Sequence, residues 1–362
     1  MKGTSLRSRY ANRYAILAAV MLTNIMGPID ASIVNVTLPT IAEYFGAGLS
    51  AAQWVPMTYL LVISSLLLFY GRLGDILGYR RVYLTGLASF VIASALCGVS
   101  YFLPTIHWLV AFRAVQGLAA GMMMAVSLAI ITASFPPAEL GKSLGIYAIS
   151  IAVGLAIGPS VGGFITYAWG WPFVFMINIP LGLAGFFWAR RILPALKGQP
   201  GKIDIGGALT SFISLSSLLL FVNYWQQGGF SIVAGMMLGA AMLAALGFWW
   251  IERRVDQPML NLDLFRNLTF SFANMSALLN FMSQFVLVFL TPFYLQRILH
   301  YAPNTVGLTM TAFPLAAMMV APFSGSLSDR IGTGILACLG AAISAFALFL
   351  MGQLSSSATS ID

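Results

Sequence analysis

The sequence predicts an all-α protein that crosses a lipid bilayer about eleven times, and three observations predict it. The chain is 59% hydrophobic and 8% charged over 362 residues, whereas a soluble domain is about a quarter charged. Its apolar residues gather in continuous runs of roughly 20, the length a helix needs to cross a hydrocarbon core about 30 Å thick. Short polar stretches separate the runs, and half of them carry lysine or arginine. A transmembrane β-barrel would show alternating segments of about ten residues instead.

Taken in order, the first span covers residues 14–36. Arg7, Arg9 and Arg13 precede it as they would a signal peptide, but the run exceeds the roughly 7–15 apolar residues of a signal. It also contains Asn24 and Asp30. The second and third spans, 53–70 and 82–102, flank a glycine-rich charged turn. The fourth, 106–131, holds Arg113, the fifth, 140–167, is studded with glycine, and the sixth is 171–188. A polar stretch with Pro194, Lys197, Gly198, Pro200, Gly201 and Lys202 follows, as a linker between two halves would. Spans seven and eight, 205–224 and 230–250, have few polar groups and form a hairpin. Spans nine to eleven are 270–295, 305–327 and 334–354.

Lysine and arginine accumulate in short cytoplasmic loops. With the N-terminus inside, 16 of the 18 basic residues fall on cytoplasmic segments, the exceptions being Arg113 within a span and Arg297. The net charge of +8 is therefore a topological signal. A nucleic-acid partner would need the basic residues on one solvated face. Cys97 and Cys338 lie in spans without CxxC spacing and are read as packing residues, and His107 and His300 have no metal-ligand companion. No enzymatic chemistry, metal or cofactor is implied, and the lack of a GxxxxGK[ST] loop argues against direct ATP drive.

Four motifs carry functional content. The turn Gly71-Arg72-Leu73-Gly74-Asp75-Ile76-Leu77-Gly78-Tyr79-Arg80-Arg81 combines glycines for tight turning with a charge cluster, and its Gly-x-Leu-x-Asp-x-x-Gly frame recurs from Gly325 to Gly332. Such recurrence marks the internal repeats from which transporters are built. In the fourth span, Arg113-Ala114-Val115-Gln116-Gly117 places an arginine at a depth that is costly without a partner or a wet cavity. Asp30 is its candidate partner, since each lies about 10 Å below the outer end of its span at 1.5 Å per residue. Two readings stand: a fixed ion pair that orders the bundle, or a proton-coupling pair. The fifth span contains Gly145, Gly154, Gly158, Pro159, Gly162 and Gly163; Gly154, Gly158 and Gly162 repeat every four residues as one side-chain-free face and Pro159 deforms the helix, as a gating element needs. Among the polar residues in or near spans, Gln116 and Gln284 are candidates for a substrate cavity.

GRLGDILGYRR, RAVQG, GIYAISIAVGLAIGPSVGG, IDASIVNVTLP and WGWPFVFMINIPLG together resemble the signature segments of the fourteen-helix drug:proton antiporters of the major facilitator superfamily. Ile76 and Tyr79 depart from that pattern, standing where basic residues are usual, and Gly170 stands where arginine is common. The resemblance implies a six-helix bundle over 1–188, a cytoplasmic linker over 189–204, an inserted two-helix hairpin over 205–251 and, in 252–362, three helices of a C-terminal bundle that would be incomplete. It implies proton-coupled efflux of amphipathic drug-like or biocide compounds across the inner or plasma membrane. Asp30 and Arg113 would couple protons, Gly71, Asp75, Gly78, Arg80 and Arg81 would form the cytoplasmic gating loop, and the fifth-span glycines the antiporter helix. The partners would be a small-molecule substrate, protons and the bilayer, with a periplasmic adaptor left open. The alternatives are a metabolite or sugar carrier of the same fold and a truncated, transport-incompetent chain.

Overall fold

A computed structural model describes residues 12–195, 204–255, 258–293 and 303–353, together with residues 198, 201 and 299. Arg7, Arg9, Lys197, Pro200, Lys202, Arg297, His300 and the terminal run 354–362 lie outside the described residues, as does the side chain of Pro159. Among the described residues there is no strand. The long helices are α1 (Arg13–Asn24), α2 (Met26–Tyr44), α3 (Trp54–Leu77), α4 (Tyr79–Val99), α5 (Ile106–Ser134), α6 (Leu140–Trp169), α7 (Asn178–Ile192), α8 (Ile205–Gly228), α9 (Ile232–Glu252), α10 (Leu268–Phe293), α11 (Pro303–Ile331) and α12 (Thr333–Gly352).

These helices fall on the predicted spans, with two differences. The first span is split at Ile25 and runs on to Tyr44, and the sixth begins as a separate turn, Phe173–Met176, before α7. At both breaks the helix ends four residues before a proline. Pro28 and Pro180 lack the N–H that would bond the carbonyl four residues earlier, and their rings crowd it. Those carbonyls belong to Asn24 and Met176, the last helical residues before each break. The ladder then resumes, with the Ile29 N–H on the Ile25 carbonyl at 3.0 Å. Pro39 and Pro159 also remove a bond, yet α2 and α6 continue through them.

Nine helical segments among the described residues are long and apolar enough to cross a membrane. They correspond to spans one to eight and eleven, while α10 and α11, at 26 and 29 residues, fill the other two positions. Wide apolar surfaces remain outward, as on α9, where Leu243 is 72% exposed. Such a surface suits lipid rather than water.

The chain divides into two compact units, Met1–Pro136 with Ile157–Asn261, and Pro137–Ala156 with Leu262–Asp362, so the division falls within α6. In the first unit α5 packs along both α3 and α4, α7 lies against α4 and α1, and α8 and α9 pair lengthwise with α8 against α3. Close approach requires small residues at the crossings. A Cβ on Gly117 of α5 would stand 2.8 Å from the Tyr59 carbonyl oxygen of α3, and one on Gly86 of α4 would stand 2.9 Å from the Ala119 oxygen of α5. An aromatic cluster of Tyr44, Tyr101 and Trp171 closes one end, tied by the Tyr44 hydroxyl donating to the Tyr101 carbonyl at 2.9 Å.

In the second unit the start of α6 lies on α11. Gly141 and Gly145 face Gly325 without room for a Cβ. The Asp329 carboxylate accepts the Gly141 and Lys142 N–H groups at 2.9 and 3.0 Å, satisfying orphan donors at the helix N-terminus and complementing its dipole.

The repeated eight-residue frame is repeated in conformation. Its last glycine ends a long helix in each copy, Gly78 at φ 91° and Gly332 at φ 86°, and the next helix starts one residue later. Only glycine adopts this backbone at no steric cost. Replacing Gly78 or Gly332 by valine should lower stability by about 1–3 kcal/mol, read as a lower melting temperature in detergent. Gly71→Ala should leave it unchanged, because open space surrounds the added carbon.

Candidate functional site

The buried centre of the first unit is polar. Asp30 sits on α2 just beyond the Pro28 break, and Arg113 and Gln116 sit three residues apart on α5, which puts them on one face. Their exposures are 1%, 0% and 0%. An Arg113 Nη1 hydrogen is donated to Asp30 Oδ2 in an ion pair. Nη1 also donates to Gln116 Oε1 at 2.6 Å, and Nε donates to the Val55 carbonyl of α3 at 3.2 Å. The guanidinium lies over the Tyr59 ring, 4.0 Å from its centroid, an attraction worth up to about 2 kcal/mol when desolvated.

The second carboxylate oxygen is equally occupied. Asp30 Oδ1 accepts from Gln116 Nε2 and from Asn178 Nδ2, each at 3.0 Å. Gln116 Nε2 also donates to Ser94 Oγ of α4 at 2.9 Å. One carboxylate thus receives donors from α5 and α7, and through them the network reaches α3 and α4. Two polar atoms in the network, Arg113 Nη2 and Asn178 Oδ1, have no hydrogen-bond partner among the described residues. A buried pair of opposite charges is held here by hydrogen bonds on both sides, the condition under which such a pair survives at low dielectric.

The other predicted residues lie elsewhere. At the turn between α3 and α4, Asp75 is exposed, accepts the Tyr79 hydroxyl at 2.7 Å and lies 4.0 Å from Arg72. Arg80 donates to the Arg190 carbonyl at the end of α7. Arg80, Arg81 and Arg190 line a cleft of about 600 Å³ with Ile76, Leu77 and Leu84. On α6, Gly154 is buried, Gly158 has no room for a Cβ against Ser32 of α2, and a Cβ on Gly162 would stand 3.2 Å from the Ile33 Cα. Gly163 faces open space, and Gly145 lies in the second unit against Ala321 of α11. Gln284, also in that unit, donates to Asn280 Oδ1 of its own helix at 2.7 Å.

The structure therefore brings Asp30, Arg113 and Gln116 together, and adds three residues the sequence did not single out. Asn178 is a polar residue in a predicted span, a signal shared by several asparagines that do not join the network. Ser94 and Tyr59 had no signal, because serine and tyrosine are ordinary in spans. Cys97 is buried with its Sγ 3.5 Å from Gln116 Oε1. No group of three or more His, Cys, Asp or Glu residues suited to a metal ion occurs among the described residues.

Comparison with known proteins agrees with this architecture. A family profile described as Major Facilitator Superfamily matches residues 20–361. The chain is 34% identical over 322 residues to the riboflavin transporter RibZ of Clostridioides difficile (strain 630), covering 88% of this chain and 69% of that protein. It is 30% identical over 346 residues to the multidrug transporter protein MdtP of Bacillus subtilis (strain 168), covering 93% of this chain and 63% of the relative. In three dimensions it is similar to the proton:xylose symporter XylE of E. coli, with a TM-score of 0.58 and 13% identity, covering 89% of this chain and 70% of that one. At that identity the likeness concerns the fold alone.

The network makes a thermodynamic prediction. Arg113→Met strands a buried carboxylate and should cost about 3–5 kcal/mol, seen as a large drop in melting temperature in detergent. Adding Asp30→Asn removes the stranded charge and should restore most of that loss. A double variant as unstable as the single one would show that the pair does not organise this centre.

Proposed function

This chain belongs to the Major Facilitator Superfamily and is a multi-pass membrane transport protein, and from that premise we propose that it is a proton-driven exporter of amphipathic, drug-like compounds. The observation that carries the proposal is Asp30, a titratable carboxylate 1% exposed at the meeting point of several apolar helices and hydrogen-bonded to a guanidinium. Protonating it would turn an acceptor of three donors into a neutral acid and release the Arg113 Nη1 hydrogen it holds. A bound cation or proton and the arginine then compete for one carboxylate, which is how two flows become coupled.

In this reading the chain sits in the inner or plasma membrane with its N-terminus cytoplasmic, supported by the distribution of lysine and arginine. It belongs to the fourteen-helix drug:proton antiporter branch, with residues 1–188 as the first bundle, 189–204 as linker, 205–251 as the inserted hairpin and 252–362 within the second bundle. The lengthwise pairing of α8 and α9 supports the hairpin. Asp75, Arg80 and Arg81, beside Gly71 and Gly78, are proposed as the cytoplasmic gating turn, and the α6 glycines as the antiporter helix. The MdtP likeness supports a drug substrate. The RibZ likeness favours a second reading, a carrier for one specific solute, which predicts saturable transport of a single compound and no competition among dissimilar ones.

Two experiments test the first reading. In proteoliposomes, Asp30→Asn should lose substrate movement driven by a pH gradient while keeping binding of uncharged compounds. Undiminished gradient-driven transport would leave Asp30 as a structural ion-pair member. Gly158→Leu should abolish transport while membrane insertion, followed by a C-terminal reporter, stays near normal, because leucine cannot fit against Ser32. Normal transport by that variant would remove α6 from the proposed gate.

A further inference from the structure

A second pair of buried acids lies at the foot of the α8–α9 hairpin. Asp204 immediately precedes α8 and Glu252 is the last residue of α9, so lengthwise pairing of the two helices brings them together. They are 7% and 4% exposed. Asp204 Oδ1 caps α8 by accepting the Gly207 N–H at 2.8 Å, and Glu252 Oε2 accepts the Leu260 N–H at 3.2 Å. The remaining oxygens, Asp204 Oδ2 and Glu252 Oε1, are buried without a hydrogen-bond partner among the described residues. Both border one point: a Cβ placed on Gly207 would touch Asp204 Oδ2 and stand 3.0 Å from Glu252 Oε1.

Among the described residues no positive group answers them. Arg253 and Arg254 follow Glu252 but lie over the rings of Trp249 and Trp250, at 4.0 and 3.9 Å. On α3, the helix packed against α8, the charged residues Arg72 and Asp75 lie 4.0 Å from each other. Among the described residues neither Asp204 nor Glu252 has an ion-pair partner within 4.0 Å. Two ionised carboxylates buried side by side repel and leave both free oxygens unsatisfied. One proton removes the repulsion and supplies the missing hydrogen bond, since a protonated carboxyl is a donor and its neighbour an acceptor.

We propose that Asp204 and Glu252 share one proton, making the foot of the hairpin a proton-binding site on helices other than those of the Asp30 network. The proton clasps the start of α8 to the end of α9 and, through Glu252 Oε2, to the backbone at Leu260. Removing it places two negative charges against each other and loosens that junction.

Infrared difference spectroscopy of the purified protein in detergent tests this. At neutral pH the wild type should show a protonated-carboxyl carbonyl band that is lost in Asp204→Asn, in Glu252→Gln and in the double variant. The double variant keeps a neutral hydrogen-bonding pair and guards against misfolding of either single one. Asp263→Asn, at an exposed site paired with Arg266 at 3.2 Å, should keep the band. The folded protein would hold one proton more than the unfolded chain, so its melting temperature should fall as pH rises from the ordinary carboxylate range to the point where the shared proton is lost, and Glu252→Gln should flatten that slope. A band unchanged in the double variant would overturn the proposal. So would stabilisation of the wild type, but not of Glu252→Gln, by added calcium or magnesium, which would make the occupant a metal ion.

Discussion

The first compact unit is organised around the desolvation of Asp30 and Arg113. Two full charges without water are costly, and their attraction compensates when hydrogen bonds satisfy most of the surrounding lone pairs and N–H groups, as they do here save for Arg113 Nη2 and Asn178 Oδ1. That requirement reaches outward in all directions. Oδ1 of the aspartate needs Gln116 and Asn178, the arginine Nε needs the Val55 carbonyl, and Gln116 in turn needs Ser94. Helices α2, α3, α4, α5 and α7 are thereby held in register by one small group of polar atoms, while the apolar contacts around it have no directional preference of their own. In lipid, where hydrophobic burial gives little drive for helices to associate, such directional contacts have a larger share in fixing which helix faces which.

Close packing supplies the rest, and glycine is its instrument. The crossing of α3 with α5 at Gly117 brings Tyr59 close enough to lie beneath the guanidinium. On α6 the same device serves two surfaces, Ser32 and Ile33 of α2 toward its C-terminal part and Ala321 and Gly325 of α11 toward its start. The start of α6 is further tied by Asp329, which belongs to the second copy of the repeated frame. In the first copy Asp75 accepts a tyrosine hydroxyl and lies near Arg72, so the two copies share a backbone turn while their carboxylates have different partners.

The carboxyl pair at Asp204 and Glu252 contrasts with the central site. Asp30 is compensated by a cation and amide donors, whereas the hairpin acids accept from backbone N–H groups and have no ion-pair partner among the described residues. Composition does not distinguish the two cases, since each is simply an acid near the edge or middle of an apolar run. The difference lies in what the fold places within hydrogen-bond reach: a guanidinium and two side-chain amides at Asp30, and backbone N–H groups at the hairpin acids.

The sequence by itself determined the order and approximate positions of the apolar spans, because the bilayer thickness imposes a length and an apolar composition that local composition alone reveals. It also marked Asp30 and Arg113, since charges are rare enough in spans that two at equal depth point to each other, and it marked Gly78 and Gly332 by their repeated frame. Only the tertiary structure decided that Asn178, Ser94 and Tyr59 complete the network, because a polar residue on a helix says nothing of which neighbour its face will meet. The breaks at Ile25 and Ile177 were also decided there: Pro28 and Pro180 interrupt the helix where Pro39 and Pro159 do not, although all four remove the same backbone bond. The meeting of Asp204 with Glu252 was settled likewise, since two acids far apart in the chain become neighbours only when α8 and α9 lie side by side.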